Sequence, residues 1–332
     1  MIGAIELGLI YGVMALGVYL TFRVLNFPDL TVDGSFTTGA ATAAALITLG
    51  QSPIVATLAA VAAGLAAGAV TGLLHTKGRI DGLLAGILTM IALWSINLRI
   101  MGTTKPDSAV AANLPLLRAS TVFDPLRENM LLGTWGSVAI LAVGVILVKL
   151  LVDWFLSTNL GLAIRATGDN GPMIRSFGVS TDRTTILTLA LSNGLVALCG
   201  ALVAQFQGFA DISMGIGLIL VGLASVIVGQ AILGQRWIWL ASLAVVIGAV
   251  LYRLIIFFAM QVGLDPNDMK LVTAVLVVLA LMLPRWGFLK RVPSLRGRGG
   301  RVPPRDPAPD PAPVAAEAAP VAAATPTAPK EA

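Results

Sequence analysis

GLAIRATGDNGPMIRSFGVSTDRTT, residues 161–185, is a polar stretch with three arginines set between two long apolar runs. Those runs, about 131–152 and 183–206, are each long enough to cross a hydrocarbon layer, which takes roughly 20 apolar residues. A polar connection between two such runs belongs in water at a membrane surface, so this segment decides the class of fold: an all-α, polytopic bundle of membrane-spanning helices. Its own chemistry predicts a short helix–turn element. Residues 160–166 are good helix formers, and Gly168, Asp169, Asn170, Gly171 and Pro172 make a turn. Residues 173–177 give a second helical turn that Gly178 ends, and Ser180, Thr181 or Asp182 caps the next span.

Composition agrees with that reading. The chain has 332 residues, 57% hydrophobic and 12% charged, against about 25% charged in an ordinary soluble domain. Hydropathy predicts about nine spans, near 2–22, 34–50, 54–74, 81–100, 131–152, 183–206, 214–233, 237–260 and 268–284. Residues 75–100 also admit a partly re-entrant path. Small residues crowd the spans, as in AAVAAGLAAGAVTG at 59–72, and let helices approach closely in lipid.

Charge orients the bundle. Seven basic residues lie between Arg285 and Arg305 with no acid among them, so most of the net +5 is local. It suits anionic lipid headgroups rather than nucleic acid. With that cluster in the cytoplasm, the loops carrying Lys77 and Arg79, carrying Arg165, Arg175 and Arg183, and carrying Arg236 fall inside. Those carrying Asp211, Asp265 and Asp268 fall outside. The expected organisation is a permease domain over 1–291 and a disordered, Pro/Ala-rich cytoplasmic tail over 292–332.

Several chemistries are missing. There is no G-x-x-x-x-G-K-[ST] phosphate loop, no H-E-x-x-H and no Cys/His cluster, and Cys199 is alone, so neither ATP splitting nor a metal or other cofactor is expected of this chain. His75 reads as interfacial. Ionisable residues noted inside spans are Glu6 and Asp153, near span ends, and Arg253, which sits where it could snorkel outward. The polar candidates for a pathway through the bundle are Asn97, Asn193, Gln205, Gln207 and Gln230.

FPDLTVDGS at 27–35 recurs as FADISMGIG at 209–217, matching Phe27 with Phe209, Asp29 with Asp211, Leu30 with Ile212 and Thr31 with Ser213. Each copy follows one span and opens the next, on opposite sides of the membrane in this topology, as an inverted repeat would. Ordinary N-capping explains the same residues. On the repeat reading, Asn26, Asp29, Thr31, Asp33, Asn97, Asn193, Asp211 and Ser213 are the candidate pathway residues.

Gly161, Ala163, Arg165, Ala166, Gly168, Asn170 and Gly178 together resemble the cytoplasmic coupling loop of ATP-binding-cassette (ABC) importer permeases for branched-chain amino acids, ribose and related solutes. Met173 and Ile174 depart from it, standing where small residues are usual. Leu25, Asn26 and Phe27 also match the family's first block, and GLILVGLASVIVGQAILG at 217–234 is similar to its late Gly-rich span. LTVDGSF at 30–36 is closer to the subgroup of tryptophan or aromatic amino-acid uptake permeases. The resemblance implies a non-catalytic subunit of the bacterial inner membrane that moves a small solute inward. A second permease copy would complete the pore, two ABC ATPase subunits would bind beneath it through the coupling loop, and a solute-binding protein would deliver the solute. The alternative from the residues alone is an ion-coupled secondary carrier built on inverted repeats.

Overall fold

Polar N-caps set where four of the helices begin. Ser52 accepts from the Val55 N–H at 3.4 Å with Pro53 following it. Asp81 accepts from Leu83 at 3.0 Å, Thr134 from Gly136 at 3.3 Å and Thr158 from Gly161 at 3.3 Å. Each satisfies an amide that a helix start leaves unpaired. The computed structural model describes residues 1–104, 111–116, 119–234, 237–262, 271, 273–275, 277 and 278. Its helices are α1 (Ile2–Val18, continued by a π-helical turn, Tyr19–Val24), α2 (Thr31–Thr48), α3 (Pro53–Thr76), α4 (Gly82–Gly102), the short α5 (Asp124–Glu128), α6 (Trp135–Ser157), α7 (Asn159–Ser176), α8 (Thr181–Gln207), α9 (Leu218–Leu233) and α10 (Ile238–Gln261).

The architecture is the expected all-α polytopic bundle, with a different span count. Among the described residues seven helical segments are long and apolar enough to cross a membrane, not nine. The expected span 34–50 corresponds to α2, which has 18 residues but is not apolar enough to count among the seven. Fourteen of those residues are buried, and α3, α4 and α8 enclose the helix. A helix screened by its neighbours can carry Thr, Ser and Asp, which accounts for its lower hydropathy. The expected span 268–284 lies largely outside the described residues, as do the basic cluster and the tail. The re-entrant option for 75–100 does not hold, since α4 is one continuous helix.

The second half of the bundle wraps α1, which packs against α6, α8, α9 and α10. Close approach rests on small residues. Gly64, Gly68 and Gly72 of α3 face Asn193, Leu189 and Ile186 of α8 so tightly that a Cβ on any of them would collide. Two strands interrupt the all-helical pattern. β1 (Asn113–Pro115) pairs antiparallel with β2 (Phe209–Asp211), extended by Leu116 N–H to the Gly208 carbonyl at 2.8 Å and Ile212 N–H to the Ala112 carbonyl at 2.8 Å. The chain leaving α8 must satisfy its backbone somewhere before α9 begins, and this pair does so.

Among the described residues, charged side chains inside the bundle meet specific partners. Glu6, almost fully buried, accepts from the Gly133 N–H at 3.0 Å and from the Ser137 hydroxyl, tying α1 to α6. Arg253 does not snorkel outward: its guanidinium lies 3.9 Å over the Tyr11 ring, a cation–π contact inside the bundle. Lys149, overlooked among the ionisable residues of the spans, sits 2.5 Å from Asp153 one helical turn later, and Ser242 of α10 donates to the same carboxylate at 2.6 Å.

Candidate functional site

The chain between α1 and α2 turns sharply at Asn26, whose backbone is left-handed (φ 57), a conformation asparagine tolerates better than most residues. Phe27 then packs edge-on against His75 at 5.0 Å, and the imidazole Nδ1 lies 2.9 Å from the Ile80 carbonyl oxygen. Asp29 follows, fully buried. Its carboxylate accepts from the Thr31 N–H at 2.9 Å and from the Asn193 amide of α8 at 2.7 Å. Thr31 in turn meets Thr71 of α3 at 2.8 Å. The second copy of the motif repeats this turn: Asp211 accepts from the Ser213 N–H at 2.8 Å. There the setting is half-exposed, with Asn113 of β1 as a further donor at 3.2 Å. Partial burial alone would raise the Asp211 pKa, but the bonds from the Ser213 hydroxyl, the Ser213 N–H and Asn113 outweigh it and hold the carboxyl below its usual value.

Asp33, in the first turn of α2, caps a different helix. One carboxylate oxygen accepts from the Gly217 N–H at 2.8 Å and the other from the Ile219 N–H at 2.8 Å, at the start of α9. A carboxylate at that end also suits the helix dipole. The 3-10 turn Ile212–Gly215 lies directly against α2, with no room for a Cβ at Gly215 beside the Asp33 carbonyl and Thr37. Beside this junction lies a cavity of about 400 Å³. It is lined by Asp33, Gly34 and Thr37 of α2, by Met90, Ile91, Trp94, Ser95 and Asn97 of α4, and by Ile212 and Ile216.

The expected pathway residues therefore divide. Asp33 and Asn97 line this cavity. Asp29, Thr31 and Asn193 form a buried hydrogen-bonded cluster and line none of the cavities described here. Asp211 ends β2, Ser213 lies in the 3-10 turn after it, and both are absent from the lining. Asn26 lines a second cavity, of about 410 Å³, together with Tyr19, Phe22, Arg23, Val24, Arg165, Gly168, Asp169, Gln230 and Ala241. Gln205 is a structural link, its amide bonding Thr57 at 2.9 Å and the Val122 N–H at 3.1 Å. Sequence reasoning passed over Met90, Ile91, Trp94 and Ser95; the signal for Trp94 and Ser95 was their place beside Asn97 in an otherwise aliphatic helix.

The opening polar segment is helical for longer than its residues suggested. α7 runs from Asn159 to Ser176 and breaks at Asn170, which has non-helical backbone angles (φ −155, ψ 84). The Asn170 side chain accepts from the Met173 N–H at 3.1 Å and so restarts the helix as an internal cap. Gly178 ends the element at φ +83, a value that favours glycine. Gly168 is not a turn residue, as the sequence suggested. It is helical, and a Cβ there would strike the Val24 carbonyl oxygen and crowd Leu25, at the connection that leads into α2. Gly161 fits the α6–α7 corner against Phe155 and Leu156 for the same reason. Ala163 and Ala166 are half-buried, whereas Arg165, Met173 and Phe177 are exposed, Phe177 at 75%. Thr167 and Thr184 meet at 3.1 Å, and Arg175 donates to Thr181 at 2.7 Å, fastening α7 to α8.

Comparison with known proteins gives a consistent picture. The profile of the family described as "Branched-chain amino acid transport system / permease component" matches residues 1–283. A tyrosine transport system permease protein of Clostridioides difficile (strain R20291) is 42% identical over 270 residues, covering 81% of this chain and 86% of that protein. An uncharacterized protein of Rickettsia prowazekii (strain Madrid E) is 35% identical over 285 residues, covering 85% and 96%. The ribose import permease protein of Escherichia coli (strain K12) is 24% identical over 277 residues, covering 82% and 81%. No solved structure matches.

Proposed function

The chain belongs to the family of branched-chain amino acid transport system permease components, and from that premise we propose what it carries and how its parts act. It is the multi-pass, inner-membrane permease subunit of an ABC importer and moves a small solute inward under the power of a separate ATPase. An ion-coupled carrier is not favoured. The solute in this reading is an aromatic amino acid. Likeness to a tyrosine transport permease supports this, as does the tryptophan in the wall of the 400 Å³ cavity.

Two copies of the chain form the pore, two ATPase subunits dock on residues 161–178 at the cytoplasmic face, and a solute-binding protein delivers from the other side. The C-terminus is cytoplasmic, and the permease performs no covalent chemistry. The observation that carries this reading is a continuous mechanical link. Gly168 of α7 packs on Val24 and Leu25, the chain beyond them enters α2, and α2 lines the cavity through Asp33 and Thr37 while capping α9. A push on α7 reaches the cavity wall through one short connection. Candidate pathway residues follow its course: Asn26 at the cytoplasmic cavity, Asp29, Thr31 and Asn193 in the supporting cluster, Asp33 and Asn97 at the cavity, and Asp211 and Ser213 on the outer approach.

Purified permease, reconstituted in proteoliposomes with its ATPase and its solute-binding protein, tests the reading. ATP-dependent uptake of labelled tyrosine, phenylalanine or tryptophan is expected. ATP-dependent uptake of sugars or aliphatic amino acids only would overturn the solute class, and uptake that needs no ATPase would overturn the subunit's role.

A further inference from the structure

We infer that the side-chain amide of Asn97 selects the solute by a hydroxyl group on its ring, favouring tyrosine over phenylalanine; this rests on the aromatic amino-acid reading above. Asn97 is 1% exposed, and neither its amide oxygen nor its amide nitrogen has a hydrogen-bond partner in the protein. Other buried polar side chains of the bundle are better served: Thr89 bonds the Ala85 carbonyl at 3.0 Å, Thr38 the Gly34 carbonyl at 2.9 Å, and Asn193, though its Oδ1 is unpaired, gives its Nδ2 proton to the Asp29 carboxylate. A buried amide left unpaired at both ends is costly, and folded proteins rarely keep one without a partner.

Asn97 also borders a place from which a partner can come. Met90, Trp94 and Asn97 follow one another at spacings of four and three along α4, so they share a face, and all three line the 400 Å³ cavity. That volume lies within the usual range for a small-molecule site, roughly 300–1,000 Å³. Ile91, Ile212 and Ile216 complete an apolar wall suited to an aromatic ring.

The amide dictates what it will accept. A carboxylate only accepts hydrogen bonds and an ammonium only donates them, so either would leave one end of Asn97 unpaired. A hydroxyl does both: its proton goes to Oδ1 and its oxygen receives the Nδ2 proton. Phenylalanine, with no group on its ring to donate or accept, leaves both ends of the amide unpaired. A site built to bond a hydroxyl discriminates strongly against the analogue that lacks it.

The test is competition between tyrosine and phenylalanine in the reconstituted importer, with one solute-binding protein throughout. Asn97→Leu should lower the ratio of kcat/KM for tyrosine to that for phenylalanine about tenfold relative to the unaltered chain, the loss of one net hydrogen-bonded contact. Trp94→Leu should slow both solutes and leave the ratio unchanged. Thermal unfolding separates selection from scaffolding, because exchanging an unpaired amide for leucine should not lower the Tm. A ratio within about twofold of the original would overturn the inference, on the scale of a tenfold expectation. So would a lowered Tm with both solutes slowed alike. If the unaltered importer moves no aromatic amino acid at all, the solute reading itself has failed, and the inference falls with it.

Discussion

Replacing Asp33 with alanine removes both acceptors that hold the first turn of α9. Gly217 stands at the N-cap of that helix and has no side chain to offer, so among the described residues the Asp33 carboxylate is the side chain that satisfies the Gly217 and Ile219 amides. A hydrogen bond to a charged group contributes about 1.5–3 kcal/mol when buried. Asp33 borders a cavity, so water can partly replace it, and the loss for the pair belongs at about 2–3 kcal/mol, nearer the scale of N-cap deletions. Asp33→Asn keeps one acceptor oxygen but turns an NH₂ toward the other amide, so it should cost about half as much. Reversible denaturation of the purified permease in mixed micelles measures both variants. The alanine variant is expected to be the less stable, with the asparagine variant between it and the original. If Asp33→Ala lies within about 0.5 kcal/mol of the original, as an ordinary surface change does, the cap across 184 residues contributes nothing and the junction is held otherwise.

Two other perturbations probe distant parts of the same bundle. Lys149→Met strands the Asp153 carboxylate between α6 and α10 and should cost about 3–5 kcal/mol, while Lys149→Met with Asp153→Leu should recover most of it; equal losses in the single and double variants would contradict the pairing. Gly168→Ala should leave the ATPase bound, because that face of α7 meets Val24 and Leu25 rather than a partner, yet reduce solute-stimulated ATP hydrolysis several-fold, matching a coupling change of about 0.5–2 kcal/mol. Unaltered stimulation would remove Gly168 from the path.

Local chemistry was readable in the sequence wherever it acts within a few residues. The caps at Ser52, Asp81 and Thr158, the glycine stop at Gly178 and the break near Asn170 all follow from short-range rules. Asp29 and Asp211 do form the same turn, as the repeated motif suggested. What escaped depends on neighbours far along the chain. Asp33 was expected along the pathway, and no local rule names Gly217 as its partner. α2 was expected as one more span, and its sequence does not show that α3, α4 and α8 enclose it. Gly168 looked like a turn glycine because its collision partner, Val24, is far away in sequence. Arg253 was assigned outward because its partner Tyr11 sits on α1. Lys149 is different: its i, i+4 spacing to Asp153 was on the page, hidden only by the aliphatic run around it.

The central claim is that residues 161–178 are where the ATPase grips this subunit. Met173 and Phe177 are exposed on the last part of α7 and the turn after it, away from the contacts of Gly161 and Gly168 that hold the element in place, whereas Arg165, also exposed, borders the cavity that Gly168 lines. Met173→Glu with Phe177→Glu therefore changes the outer face and leaves the packing intact. The decisive measurement is co-purification of the ATPase with this double variant from membranes, beside ATP-driven uptake in proteoliposomes. The expected result is a permease inserted at normal levels that retains little ATPase and moves no solute. Normal co-purification together with normal uptake would contradict the claim, and α7 would then be a solvated loop with no part in coupling.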